Sequence, residues 1–179
     1  QLRLEVFKAC PYDTEAEGRS EENTRPRHAL RILLAEDERL NRISLQKLLS
    51  DAGHQVTGVS DGREALETLK REKTFDLILM DVQMPEMDGL ETTRRIRSEK
   101  NGKFDPRIPI IALTAFAMEG DRERILQAGM DGYLSKPVDM KDLHQTIDRV
   151  VSRRTDSENT DQGISESGSK PGREPLKPQ

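Results

Sequence analysis

Five alternations of strand-like and helix-like segments predict an α/β fold, a five-stranded parallel sheet wound on both faces by helices. Three observations lead there. The large apolar residues are concentrated between about positions 30 and 151 of the 179-residue chain, a span long enough to bury a core by itself. Runs such as Leu77-Ile78-Leu79-Met80 and Ile110-Ile111-Ala112-Leu113 do not alternate apolar with polar. Strands of that kind are buried on both faces, the condition of a parallel sheet covered on each side. Between the runs, apolar residues recur at helical spacing.

In chain order, the first strand is expected at 30–34. A helix follows with Leu45, Leu48, Leu49 and Ala52 on its inner stripe, stopped at Gly53. The second strand is expected at 55–59, after which Asp61 and Glu64 resemble a capping box opening a helix that buries Ala65, Leu66 and Leu69. The third and fourth strands fall at 75–80 and 108–113. A helix carrying Ile125, Leu126 and Gly129 then leads to a short strand at 132–134, and the last helix buries Leu143, Ile147, Val150 and Val151. Five βα units in succession imply right-handed crossovers and a doubly wound sheet.

The flanks read differently. Residues 1–28 are mostly polar apart from the strand-like start Leu2-Arg3-Leu4-Glu5-Val6-Phe7, so they are expected to be a linker or the end of a preceding domain. Residues 155–179 hold only Ile164 and Leu176 as large aliphatics, too few to offset the entropy of ordering, and are expected to be a disordered polar tail. The net charge of −4, with no basic stripe, argues against a nucleic-acid partner. No apolar run approaches the ~20 residues of a membrane span, so no direct membrane contact is expected from this region. The single cysteine, Cys10, cannot form an internal disulfide, which fits a reducing, cytoplasmic setting.

In sheets of this kind ligands bind beyond the carboxyl ends of the strands. Strand one ends in Glu36-Asp37, strand three in Asp81, strand four in Thr114-Ala115 and strand five in Lys136-Pro137. Taken singly, Asp37 and Thr114 would pass for helix caps and Lys136 for a surface lysine. Taken together they deliver three carboxylates, a hydroxyl and an ammonium to one rim. Three acids against one lysine leave two negative charges in excess, and like charges about 4 Å apart repel by ~4 kcal/mol per pair at an effective dielectric of 20. A divalent cation removes that excess. All-oxygen ligands favour a hard ion, Mg²⁺ or also Mn²⁺, and the few carboxylates suit Mg²⁺. An aspartate beside such an ion and a lysine is equipped to attack phosphorus and hold an aspartyl phosphate.

Four motifs then carry a resemblance. Leu33-Leu34-Ala35-Glu36-Asp37, Asp81-Val82-Gln83-Met84-Pro85-Glu86-Met87-Asp88-Gly89, Ala112-Leu113-Thr114-Ala115 and Gly132-Tyr133-Leu134-Ser135-Lys136-Pro137 are together similar to receiver domains of two-component response regulators. The similarity spans about 31 to 151, and places a receiver domain at 29–154. It implies the flavodoxin-like strand order 2-1-3-4-5, Asp81 as phosphoacceptor from a phosphohistidine, and Mg²⁺ held by Glu36, Asp37, Asp81 and the Gln83 carbonyl. Lys136 would pair with the phosphate and its bond to Pro137 would be cis, while Thr114 and Tyr133 would form the switch pair. Gln83 and Phe116 occupy places that tune the lifetime of the phosphate, Phe116 by shielding it.

The Glu36-Asp37 start followed by Asn41, with the Met84–Gly89 loop, looks most like receivers attached to hybrid sensor histidine kinases. The partner would then be a sensor histidine kinase or a histidine phosphotransfer protein, and any kinase activity would belong to a parent chain that could itself be membrane-anchored. The alternative is a stand-alone response regulator acting by protein–protein contact. Leu40 and Ile43 fall opposite the inner stripe of the first helix, where an apolar pair could dock a partner helix. A haloacid-dehalogenase-type phosphatase also uses a strand-end aspartate with Mg²⁺, but needs a second aspartate where this chain has Gln83. A flavodoxin-like cofactor binder would need a Ser-, Thr- and Gly-rich loop after strand one, which is absent. The loop at 98–107 is longer than in many receivers and is expected to lie at the rim away from the site.

Overall fold

The computed structural model describes residues 29–72, 74–115 and 119–162. The chain alternates β1 (Arg31–Ala35), α1 (Arg39–Asp51), β2 (Gln55–Val59), α2 (Gly62–Arg71), β3 (Leu77–Asp81), α3 (Gly89–Arg97), β4 (Ile110–Thr114), α4 (Glu119–Gln127), β5 (Gly132–Ser135) and α5 (Met140–Gln162). All strand pairs are parallel, in the order β2-β1-β3-β4-β5. From β1 the chain steps outward to β2 and then back across to β3, so the winding reverses between β1 and β3. A crevice forms at their carboxyl ends for that reason.

Side chains alternate across the sheet, and the two core clusters record it. Leu33, Ala35, Ile78, Met80, Ile110 and Ala112 point to the face covered by α2, α3 and α4. Ile32, Leu34, Leu77, Leu79, Ile111 and Leu113 point to the face covered by α1 and α5 through Leu45, Leu49, Leu143 and Ile147. Every residue of β3 and β4 is buried, as their unbroken apolar runs require.

Several details depart from the sequence reading. β3 starts at Leu77 rather than 75, and β4 at Ile110 rather than 108, because Pro109 has no N–H for the ladder and offers only its carbonyl, to Ile78. Leu48 is 45% exposed and Leu126 46%, so neither belongs to the core. On α1 the buried apolar row is Leu45–Leu49, and Gln46 lies beside it against β2 at Gly58. The inner side of α3 combines Leu90 and Ile96 with Thr92 and Thr93, whose hydroxyls donate to the carbonyls of Asp88 and Gly89 at 2.7 and 2.8 Å. Back-bonded threonines bury as readily as aliphatics, and they hid this helix from an apolar count. α5 continues past the expected boundary at 154 to Gln162, with no glycine or proline before Gly163. Residues 1–28 and 163–179 lie outside the described residues, as does Phe116.

The helix ends follow their chemistry. Gly53, at φ 97°, ends α1 in the left-handed conformation that favours glycine. Asp61 and Asp88 cap α2 and α3 by accepting from the N–H groups of Glu64 and Glu91 at 2.8 and 2.7 Å. Glu64 in turn accepts from the Ser60 N–H and hydroxyl, both at 2.8 Å.

The rim away from the crevice is held by Arg97. Its guanidinium donates to the carbonyls of Gly129, Pro106 and Ile108 and pairs with Asp131 at 2.8 Å. Burial draws its pKa down from the usual arginine range, against the pull of Asp131 and Asp105, and it stays charged. The 98–107 loop lies at this rim as expected, but it is not wholly polar. Phe104 is buried, and Asp105 accepts from Arg154 of α5 at 2.7 Å. Also at this rim, buried His54 accepts the Leu30 N–H on Nδ1 and lies 6.3 Å from the His144 ring; desolvation, then the charge of His144, lower its pKa against the pull of Asp148. Among the described residues no helix is long and apolar enough to cross a membrane.

Candidate functional site

At the crevice, the last buried residue of β1 is followed by Glu36, whose N–H donates to the Val59 carbonyl at 3.1 Å. This keeps Glu36 in register with the sheet and turns its side chain into the site, where the residue is 1% exposed. Asp37 follows on the surface. Asp81, the last residue of β3, is 4% exposed and pairs in register with Leu113 of β4. One oxygen from each of Glu36, Asp37 and Asp81 lies within 4.8 Å of the others.

Lys136 reaches this cluster from the end of β5. Its backbone N–H donates to the Thr114 carbonyl at 2.7 Å, and its Nζ sits 2.6 Å from Asp81 Oδ2 and 2.6 Å from Glu36 Oε2. The Lys136–Pro137 bond is cis, as the resemblance implied. Desolvation pulls the ammonium's pKa down, but the hydrogen bonds and charges of Asp81 and Glu36 outweigh it and raise the pKa above the usual lysine value.

The remaining residues singled out from the sequence distribute as follows. Thr114 is buried at the end of β4 and lines a cleft of about 600 Å³ together with Asp37, Gln83, Met84, Leu90 and Ile125. Gln83 is exposed, and its backbone N–H donates to Asp81 Oδ1 at 3.0 Å, so both Asp81 oxygens have donors. Tyr133 is half-buried on β5 opposite Ala112, with the Arg122 guanidinium 5.9 Å from its ring centre. Leu40 and Ile43 point outward from α1, 72% and 49% exposed. Phe116, outside the described residues, is the one of these that is not located.

Two further residues come into the site unforeseen. Asn41 Nδ2 donates to Glu36 Oε1 at 3.2 Å, and Arg42 Nη1 donates to the carbonyls of Glu36 and Asp37 at 2.5 and 3.2 Å. Asn41 stood out only as part of a family likeness. A cation in the first turn of a helix, set against the helix dipole, was the available signal for Arg42.

Chemically, the site holds three acids and one ammonium in a space a few ångströms across, an imbalance that a hard dication would offset. The donor set is all oxygen, as Mg²⁺ prefers.

Comparison with known proteins agrees. The family model of the response regulator receiver domain matches residues 32–148. The chain is 42% identical over 135 residues to the sensor histidine kinase GacS of Pseudomonas protegens, covering 75% of this chain and 15% of that protein. It is 41% identical over 116 residues to the polar-differentiation response regulator DivK of Brucella ovis, covering 65% of this chain and 91% of that one. Among solved structures, the receiver domain of a sensor histidine kinase from Pseudomonas aeruginosa, with a magnesium ion coordinated in its active site cleft, is similar at 42% identity and a TM-score of 0.62. That match covers 70% of this chain and 99% of the other.

Proposed function

The chain belongs to the family of response regulator receiver domains, and from that premise we propose that Asp81 takes a phosphoryl group from a phosphohistidine of a partner protein. An oxygen of Asp81 would bond to phosphorus as the phosphorus–nitrogen bond breaks, and the departing imidazole nitrogen would take up a proton. The observation that carries this reading is the convergence of Glu36, Asp37 and Asp81 within 4.8 Å around one lysine. Those three residues and the Gln83 carbonyl would hold Mg²⁺. When bound, the ion supplies charge that offsets the equatorial phosphoryl oxygens in the transition state. Lys136, whose Nζ lies 2.6 Å from Asp81 Oδ2, would offset the same charge. Thr114, lining the adjacent cleft, would donate its hydroxyl to the phosphoryl group, and Tyr133 would turn toward the space it leaves.

The test is direct. Incubated with acetyl phosphate and Mg²⁺, the protein is expected to gain a single hydroxylamine-labile phosphoryl adduct by mass spectrometry. Asp81→Asn should gain none. An undiminished adduct in that variant would place the phosphoacceptor elsewhere.

Two settings share this chemistry, a hybrid kinase receiver and a stand-alone regulator. The Glu36-Asp37 start with Asn41 and the Met84–Gly89 loop favour the hybrid, relaying phosphate to a histidine phosphotransfer protein. Leu40 and Ile43 supply an exposed apolar pair beside the acidic rim on which a histidine-bearing helix would dock. Replacing both by serine is expected to slow transfer from a phosphorylated histidine phosphotransfer protein about tenfold, a loss typical of one interface anchor. Labelling by acetyl phosphate should be unchanged. Equal rates with the protein donor would remove this face from the docking surface.

A further inference from the structure

We infer that Asn41 and Arg42, on the first turn of α1, are positioning residues that set the affinity of the carboxylate cluster for a divalent cation. The inference rests on the reading of Glu36, Asp37 and Asp81 as a magnesium site.

The argument begins with an anomaly in α1. A helix N-terminus carries unpaired N–H groups and a partial positive charge, so acidic residues and side-chain caps stabilise it. α2 and α3 comply, each with an aspartate cap and a glutamate in the first turn. α1 has no acidic residue in its first turn, and its N-cap residue, Glu38, makes no side-chain cap. Its first turn carries Arg39 and Arg42 instead, a choice that helix stability does not explain.

For Arg42 its bonds do explain it. Arg42 Nη1 donates to the carbonyls of Glu36 and Asp37, the two acids of the β1–α1 loop that join the carboxylate cluster. Together with the Glu36 N–H on Val59, this fixes the loop from β2 on one side and from α1 on the other. Asn41 Nδ2 donates to Glu36 Oε1, the oxygen that Lys136 does not hold. The buried carboxylate is therefore gripped by both oxygens, from two separate elements. Without Asn41 it is free to rotate onto Lys136, competing with Asp81 for the Nζ they share. Neither residue need touch the ion. Partners that orient ligands in this way commonly change metal affinity 10- to 100-fold.

The test measures Mg²⁺ binding by calorimetry on the whole chain for Asn41→Ala and Arg42→Lys. The lysine keeps the local charge and removes the guanidinium's reach to two carbonyls, so a change reports geometry rather than field. Each variant is expected to bind Mg²⁺ about tenfold more weakly. The Mg²⁺ concentration giving half-maximal acetyl-phosphate labelling should rise by the same factor, with the rate at saturating Mg²⁺ kept within about twofold. Metal-free melting temperatures should stay within about 2 °C of the parent. Unchanged Mg²⁺ affinity in both variants, with the parent binding normally, overturns this inference alone. Weaker binding that only tracks a loss of metal-free stability overturns it too, since the residues would then serve the fold. Absence of Mg²⁺ uptake by the parent overturns the reading of the site and this inference with it.

Discussion

Lys136→Met is expected to lower the unfolding free energy of the metal-free protein by about 3 kcal/mol, the low end for stripping the counter-charge from buried carboxylates. The low end applies because the lysine side chain is itself 22% exposed. Glu36 and Asp81 are nearly inaccessible and would face one another with no cation between them. At this chain length such a loss lowers the melting temperature by roughly 10 °C.

The same substitution should tighten Mg²⁺ binding, because Lys136 occupies oxygens the ion would use and repels it. Phosphorylation by acetyl phosphate should nevertheless slow by about 100-fold or more, the usual cost of losing one transition-state charge contact. Tighter metal binding with slower chemistry separates the roles of lysine and ion. The pH dependence follows from the raised pKa of Lys136. The ammonium is favoured in the folded state, so its contribution is fully present below the unfolded lysine value of about 10.4. It is lost as pH rises through the higher folded value. Parent and variant stabilities should therefore converge in strong alkali. A variant that melts with the parent at pH 7 would show that these ion pairs contribute nothing.

Gly89→Ala is expected to be nearly as damaging, for a steric reason. A Cβ at residue 89 would stand 2.1 Å from the Asp81 carbonyl oxygen and 3.0 Å from the Asp81 carbonyl carbon. The obstacle is backbone, and it cannot yield cheaply. Asp81 is paired in the sheet, and the Gly89 N–H is itself bonded to the Val82 carbonyl at 3.1 Å. A cost of about 3 kcal/mol, the upper range for overpacking, should appear as a lowered urea midpoint. Acetyl-phosphate labelling should fall as well, because relieving the clash moves the backbone that carries the phosphoacceptor. If the midpoint stays at the parent value, α3 does not pack against Asp81 as closely as described.

Much of this architecture is legible in the amino-acid sequence. Ile and Leu runs without polar alternation announce a strand covered on both sides, and they placed the central strands β3 and β4. The site was legible because a parallel sheet brings all strand ends to one rim. Reading one to three residues past each run was enough to find Glu36, Asp37, Asp81, Thr114 and Lys136. What stayed hidden depends on pairing over distance or on chemistry that imitates something else. Thr92 and Thr93 read as polar until their hydroxyls are seen to satisfy the turn behind them. Leu48 fits the apolar spacing of α1, yet the sheet contacts too narrow a stripe to cover it. Asn41 stood out only in a family likeness and Arg42 only as a cation in a helix's first turn, and neither signal states that the side chain reaches back to the loop before the helix. Arg97 is the extreme case, its four partners lying up to 34 positions away.

Arg97 has a mechanical consequence. It joins the tail of α3 to the turn that follows α4, at Gly129, and to the approaches of β4 and β5. These elements are thus riveted together at the bottom of the molecule, while α4 begins at the top, beside the cleft that Thr114 lines. A rod pinned at one end cannot slide. The freedom left to α4 is to swing about its lower end, so a displacement beside Thr114 would be largest at the top of the helix and die away toward the pinned turn at Gly129.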